Sequence, residues 1–248
     1  SIYFPKSEKE ISCVFRYLNE KGIRINVSAA RTGIVGGAVP NGGAIVSLEK
    51  MKGIKGIGYD AEKNRPWIRL EPGLSLLEIN NKLKDLLSFE NEIEFGHDYL
   101  KELIASNKQY FYPVDPTELT ASIGGTVSAN ASGAASFKYG ATRNWVKGIR
   151  VVISNGNILD IPRGKYFFNK ENEFTILSNK EKIKLKLPSF EMPKVKNAAG
   201  LFAEPEMDLI DLFIGNEGIL GLISEVDVWL TEKLPFISTI LFFYEQAD

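Results

Sequence analysis

Pro113-Val114-Asp115-Pro116-Thr117, Ser122-Ile123-Gly124-Gly125 and Asn130-Ala131-Ser132-Gly133 follow one another with only short spacers between them. Gly, Ser, Thr and Asn at this density expose backbone N–H groups and short hydroxyls without side-chain bulk. That chemistry suits a diphosphate lying directly against the main chain. A chain built only to pack a core has no use for such a stretch. The segment therefore points to a large anionic cofactor.

Two further glycine-rich segments lie on either side. The first is Ser28-Ala29-Ala30-Arg31-Thr32-Gly33-Ile34-Val35-Gly36-Gly37-Ala38-Val39-Pro40, directly after a strand expected over residues 24–27. A strand feeding a tight loop of small residues can present successive N–H groups to phosphate oxygens. No Gly-Lys-Ser/Thr follows, so it is not a Walker loop, and the Rossmann glycine spacing is absent. The second is Gly215-Asn216-Glu217-Gly218-Ile219-Leu220-Gly221-Leu222-Ile223, which taken alone is a helix stop followed by a strand.

The surrounding chain is that of an ordinary globular protein. Its 248 residues allow one large domain or two smaller ones. A formal net charge of -1 with interspersed acids and bases leaves no electrostatic footprint for nucleic acid. Lys180, Lys182, Lys184 and Lys186 alternate and are expected on a solvated strand face. Cys13 is the single cysteine, which excludes an internal disulfide and a thiolate metal cluster. It falls in an apolar run and is expected to be buried on a helix. No signal segment and no apolar stretch of membrane-spanning length is visible, so a cytoplasmic location without transmembrane segments is the expectation.

Ser7-Glu8-Lys9-Glu10 has capping-box spacing and predicts a helix over 8–21. Strands are expected over 44–48 and 67–71, and a helix over 74–87. Residues 88–112 are expected to be irregular with one short helix, and 118–131 to be helical. The hairpin signal is strongest over 148–161, around Asn155-Gly156. Residues 163–207 are mixed and broken by prolines. A short helix over 208–214, a strand over 223–230 and an apolar, β-prone tail over 237–244 complete the pattern.

In this order and spacing the three segments resemble the FAD-binding domain of the vanillyl-alcohol oxidase and p-cresol methylhydroxylase (PCMH-type) flavoproteins. The likeness is greatest to the D-lactate dehydrogenase and glycolate oxidase branch, and it runs from about residue 4 to residue 235. The resemblance implies an α+β fold in which two subdomains, 1–112 and 113–235, clamp FAD between them, with 236–248 starting a truncated cap domain. It implies that Ala29, Ala30, Arg31, Thr32 and Gly33, with Gly36 and Gly37, receive the diphosphate. Pro113, Asp115, Thr117 and Ser122 would lie along the ribityl and diphosphate, with Gly124 and Gly125 allowing close backbone approach. Asn130, Ser132, Gly133, Tyr139 and Gly140 would border the isoalloxazine. Residues 217–223, including Glu217, Gly218 and Ile223, would close over the adenine end.

Two departures from the family pattern carry consequences. The family loop usually has glycines where this chain has Ala29 and Arg31. A positive φ at either would cost roughly 1 kcal/mol or more. A guanidinium beside a diphosphate could offset that by bidentate hydrogen bonding. Many family members also attach flavin covalently through a His or Cys in or near these loops. None stands there in this chain, and His97 falls outside every motif, so noncovalent FAD is expected and His97 reads as a surface residue.

The implied chemistry is hydride removal from a 2-hydroxy acid to flavin N5. In that branch a following cap domain supplies a substrate-binding arginine, a catalytic histidine and often a metal. None has a counterpart here, so catalytic residues stay unassigned, no metal site is expected, and the chain alone is expected to turn over substrate poorly. An alternative is a non-catalytic flavin-binding or electron-transfer subunit completed by a partner chain. A reductase of cell-wall precursors shares the general fold, and the Asp115-Pro116-Thr117 segment argues against it.

Overall fold

The computed structural model describes residues 1–178, 181–195, 200–236, 238 and 240–243. The chain opens with β1 (Ile2–Tyr3), α1 (Glu8–Glu20), β2 (Ile25–Ser28) and β3 (Ala44–Ser47). These strands form a parallel sheet in the order β1-β3-β2, with Ser28 opposite Ser47 at the end of the ladder. Helix α1 starts at Ser7, whose side chain accepts the Glu10 N–H at 3.3 Å. The Glu10 carboxylate accepts from the Lys6 N–H rather than from the Ser7 N–H, so only half of the expected capping box forms. Ile11, Phe15 and Leu18 recur every three or four residues and bury one stripe against Ala44, Val46, Leu48 and Met51. Cys13 was expected inside and is exposed, because it points away from that stripe.

The next elements are β4 (Ile54–Asp60), β5 (Arg65–Leu70), α2 (Leu76–Lys82), α3 (His97–Ala105) and β6 (Tyr110–Phe111). They are followed by α4 (Ile123–Ser128), α5 (Ser136–Tyr139), β7 (Val146–Val152), β8 (Ile158–Pro162) and the hairpin β9 (Glu173–Ser178) and β10 (Glu181–Lys186). The described chain closes with α6 (Leu209–Phe213), β11 (Leu222–Trp229) and β12 (Thr231–Glu232). An antiparallel five-stranded sheet has the order β4-β5-β11-β7-β8 among the described residues. It takes β4 and β5 from before the expected boundary at 112/113, and the other three strands from after it.

Strand β4 escapes a reading by periodicity because Gly56 and Gly58 replace the side chains that would alternate. Both are required by packing: a Cβ at Gly56 would overlap the Phe95 ring, and one at Gly58 would come within 2.6 Å of Trp67. The helix expected over 74–87 is shorter, since α2 ends at Lys82 and a 3-10 turn, Leu86–Phe89, follows. The helix expected over 118–131 is reduced to α4. The irregular stretch 88–112 contains α3, with His97 exposed at its start.

The hairpin around Asn155-Gly156 forms as expected, with Ile149 opposite Ile161. Lys182, Lys184 and Lys186 lie exposed on β10, and Lys180 lies outside the described residues. Of the expected tail strand, residues 237, 239 and 244 also lie outside the described residues. No strand forms at 238 or 240–243, and Phe243 is 91% exposed.

One buried contact joins the two sheets. Val152 and Leu222, at the ends of β7 and β11, pack into the cluster beneath α1. Each such fully buried aliphatic side chain contributes about 1.5–3 kcal/mol. Polar contacts reinforce this seam. Arg150 on β7 donates to Glu8 on α1 through Nε at 3.0 Å and Nη2 at 2.7 Å, and the Ser224 hydroxyl adds a third bond at 2.6 Å. Burial opposes the Glu8 charge, but the bonds from Arg150 and Ser224 outweigh it and hold the carboxyl below its ordinary value.

Candidate cofactor-binding cleft

A cleft of about 490 Å³ opens along this seam, at the C-terminal ends of β2 and β3. Its size falls within the roughly 300–1,000 Å³ usual for small-molecule and cofactor sites. One wall is the loop after β2, and the other is made by residues 116–132 with the turn before β11. Segments far apart in sequence thus meet across one space.

The structure brings most of the candidate residues to this cleft. Ala29, Ala30, Arg31, Thr32, Gly33 and Gly37 line one wall. Ser122, Gly124, Gly125, Ser132, Glu217, Gly218 and Ile223 line the other. Gly36 shapes the loop from behind: at φ +79 it closes a turn in which its carbonyl accepts the Val39 N–H at 2.9 Å. A Cβ added at Gly33, Gly37 or Gly218 would meet nothing within 4 Å, so their backbones face open space.

The remaining candidates stand outside the lining. Pro113 is buried. Asp115 accepts the Thr117 N–H at 2.9 Å and fixes the bend in which Thr117 takes φ +77. Asn130 accepts the Arg143 N–H at 3.0 Å through Oδ1. Gly133 lies so close to the Asp115 carbonyl that any Cβ would overlap it. Tyr139 packs edge-on against Phe111 and Trp145 and accepts the Trp145 Nε1–H at 2.7 Å, while Gly140 abuts Asn144.

Gly124 and Gly125 have different roles. Ser122 caps α4 through the Gly125 N–H at 3.3 Å. A Cβ at Gly124 would come within 2.6 Å of the Pro72 Cβ, so this glycine seats the helix against the chain before α2. A Cβ at Gly125 would meet only the Ser122 hydroxyl, at 3.0 Å. Gly125 is therefore the glycine that keeps the cleft clear.

Two residues that sequence reasoning did not single out hold this wall in place. Asn216, 1% exposed, accepts the Gly218 N–H at 2.9 Å and the Leu220 N–H at 3.3 Å, and donates to the Phe213 carbonyl. Arg143 donates to the carbonyls of Asp211 and Ile214, each at 2.7 Å, and pairs with the Asp211 carboxylate at 2.8 Å. Arg163 shares that carboxylate at 3.1 Å. Asn216 lies within the glycine-rich segment 215–223, whose glycines mark a turn; the pairing of Arg143 with Asp211, 68 residues away, carries no signal in the sequence.

Residues 1–97 and 100–162 match the family described as FAD binding domain. The chain belongs to that family. FAD is accordingly its cofactor, and the open glycine backbones and short hydroxyls of the cleft fit that group. Over 243 residues the chain is 28% identical to a D-lactate dehydrogenase of Anaerostipes hadrus, covering 98% of this chain and 38% of that protein. It is 27% identical over 250 residues to the glycolate oxidase subunit GlcD of Bacillus subtilis (strain 168), covering 100% of this chain and 40% of the relative.

The fold is that of solved flavoproteins of the PCMH type. A 6-hydroxy-D-nicotine oxidase from Arthrobacter nicotinovorans superposes with a TM-score of 0.56 at 16% identity, over 93% of this chain and 36% of the other. An alkyldihydroxyacetonephosphate synthase gives a TM-score of 0.58 at 15% identity, over 93% and 34%. The chain thus spans roughly two fifths of the length of these curated relatives. Among the described residues, no helix is long and apolar enough to cross a membrane, and no three His, Cys, Asp or Glu side chains group as metal ligands would.

Proposed function

We propose that this chain is the FAD-holding portion of a flavin-dependent oxidoreductase acting on a small 2-hydroxy acid. The observation that carries the reading is the convergence of the three glycine-rich segments on one cleft, in a chain whose relatives are a D-lactate dehydrogenase, D-2-hydroxyglutarate dehydrogenases and a glycolate oxidase subunit. Bound FAD supplies the two-electron oxidation chemistry. The residues of this chain bind and orient it. The loop after β2 offers N–H groups to the diphosphate, and Gly125 leaves room for the cofactor, while the first N–H groups of α4 are taken up by Leu74, Pro72 and Ser122.

FAD is held noncovalently in this reading. The described cleft-lining residues include no His or Cys, and Cys13 and His97 lie exposed elsewhere. Substrate contacts and a proton-accepting base come from outside the described residues, from a cap domain or a partner subunit. Turnover of D-lactate, glycolate and D-2-hydroxyglutarate should be assayed with FAD and an artificial electron acceptor. The chain alone is expected to bind FAD yet give little turnover, and robust turnover would overturn the assignment of catalytic groups to another region.

A further inference from the structure

We infer that the Arg31 guanidinium is a direct ligand of the FAD diphosphate and the cation that draws it to the loop wall of the cleft. This rests on the reading of the cleft as the FAD site. The first observation is conformational. Arg31 adopts φ +59, in the left-handed region that a long side chain avoids and glycine accepts readily. Of the other seven non-glycine residues with positive φ among the described residues, four are asparagines, which tolerate it; the remaining three are Thr117, Glu206 and Glu217. Arg31 and Glu217 line the cleft, and Thr117 lies between its lining residues Pro116 and Glu118. Unfavourable backbone geometry gathered at one site is a mark of function.

The second observation is electrostatic. Arg31 is the sole cation among the described cleft-lining residues, and the carboxylates there, Glu118 and Glu217, belong to the opposite wall. Hydrogen bonds from Thr120 hold the Glu118 carboxyl below its ordinary value, so it is charged at neutral pH. The guanidinium bends back to the end of β2, where Nη1 reaches the buried Ser28 hydroxyl at 3.4 Å. That single long bond leaves most of its five N–H donors for a ligand. A dianionic diphosphate is drawn to the Arg31 wall and repelled from the other, which seats it against the loop after β2. A guanidinium fork also fits two phosphate oxygens at once.

The test separates strain from binding by their opposite signs. Apo samples of the chain and of R31G and R31K are melted, then titrated with FAD by flavin fluorescence at low and high salt. Glycine relieves the left-handed backbone, so R31G should melt higher than the parent. Loss of a charge-assisted pair should weaken its FAD affinity by on the order of 10- to 100-fold. Its affinity should also depend less on salt. R31K, which keeps the charge and loses the fork, should fall between. R31G binding FAD within about twofold of the parent would overturn the inference, and so would a loss of affinity matched by a loss of apo stability. A parent chain that takes up no FAD would instead overturn the reading of the cleft.

Discussion

Arg143 donates through Nη2 to the carbonyl oxygen of Ile214 at 2.7 Å, and so holds the last carbonyl before the 215–221 turn that lines the cleft. Its backbone N–H meanwhile binds Asn130, so one residue ties together two loops of the same wall. Arg143→Ala is expected to cost about 2–3 kcal/mol, because its bonds to Asp211 and Ile214 are largely shielded from water. FAD affinity should fall with it, since the loop carrying Glu217 and Gly218 loses its anchor. Denaturant unfolding and an FAD titration of the same variant check both. Arg143→Lys restores the charge without the planar fork and should recover only part of the loss.

The Glu8–Arg150 pair fastens α1 to the central sheet behind the cleft. Glu8→Gln removes the charge and should lower stability at neutral pH by about 1–2 kcal/mol. The sign of the pH dependence follows from the depressed folded-state value of Glu8. The stabilisation is fully present above the ordinary carboxyl value of 4.5 and fades as pH falls through the lower folded value. Melting curves of the two proteins should therefore converge in acid, and a constant gap down to the lowest pH would contradict this role.

Adjacent glycines on α4 should separate folding from binding. Gly124→Ala drives a methyl into Pro72 and is expected to destabilise the fold by about 1–3 kcal/mol. Gly125→Ala meets only the Ser122 hydroxyl, at 3.0 Å, and gains helix propensity, so its cost should be well below that of Gly124→Ala. It should nevertheless weaken FAD binding, because its methyl enters the cleft. Thermal melts and FAD titrations of the two variants should give opposite patterns.

Elements governed by local chemistry were legible in the sequence. Helix α1, the β7–β8 hairpin and the short α6 announce themselves through caps, Asn-Gly and apolar spacing; the three glycine-rich segments point to a large anionic cofactor, and their resemblance to a flavoprotein family implies FAD. Elements set by distant partners were not. Strand β4 carries glycines where alternation would show, because Phe95 and Trp67 occupy that space. The expected helix over 118–131 shrinks to α4: the carbonyls of Leu119 and Ala121 accept the Leu77 and Leu76 N–H groups at the start of α2 instead of continuing a helix. Asn216 and Arg143 act through bonds to segments whose proximity only the fold creates. Cys13 was misplaced for a simpler reason: an apolar run on a helix does not say which stripe faces inward.

The most direct test of the account is the visible absorption spectrum of the purified chain, supplied with FAD, before and after acid precipitation. The account predicts flavin bands travelling with the folded protein and then appearing wholly in the acid supernatant. A chain that stays colourless after incubation with FAD would contradict the cleft as a cofactor site. Flavin remaining in the pellet would contradict noncovalent binding.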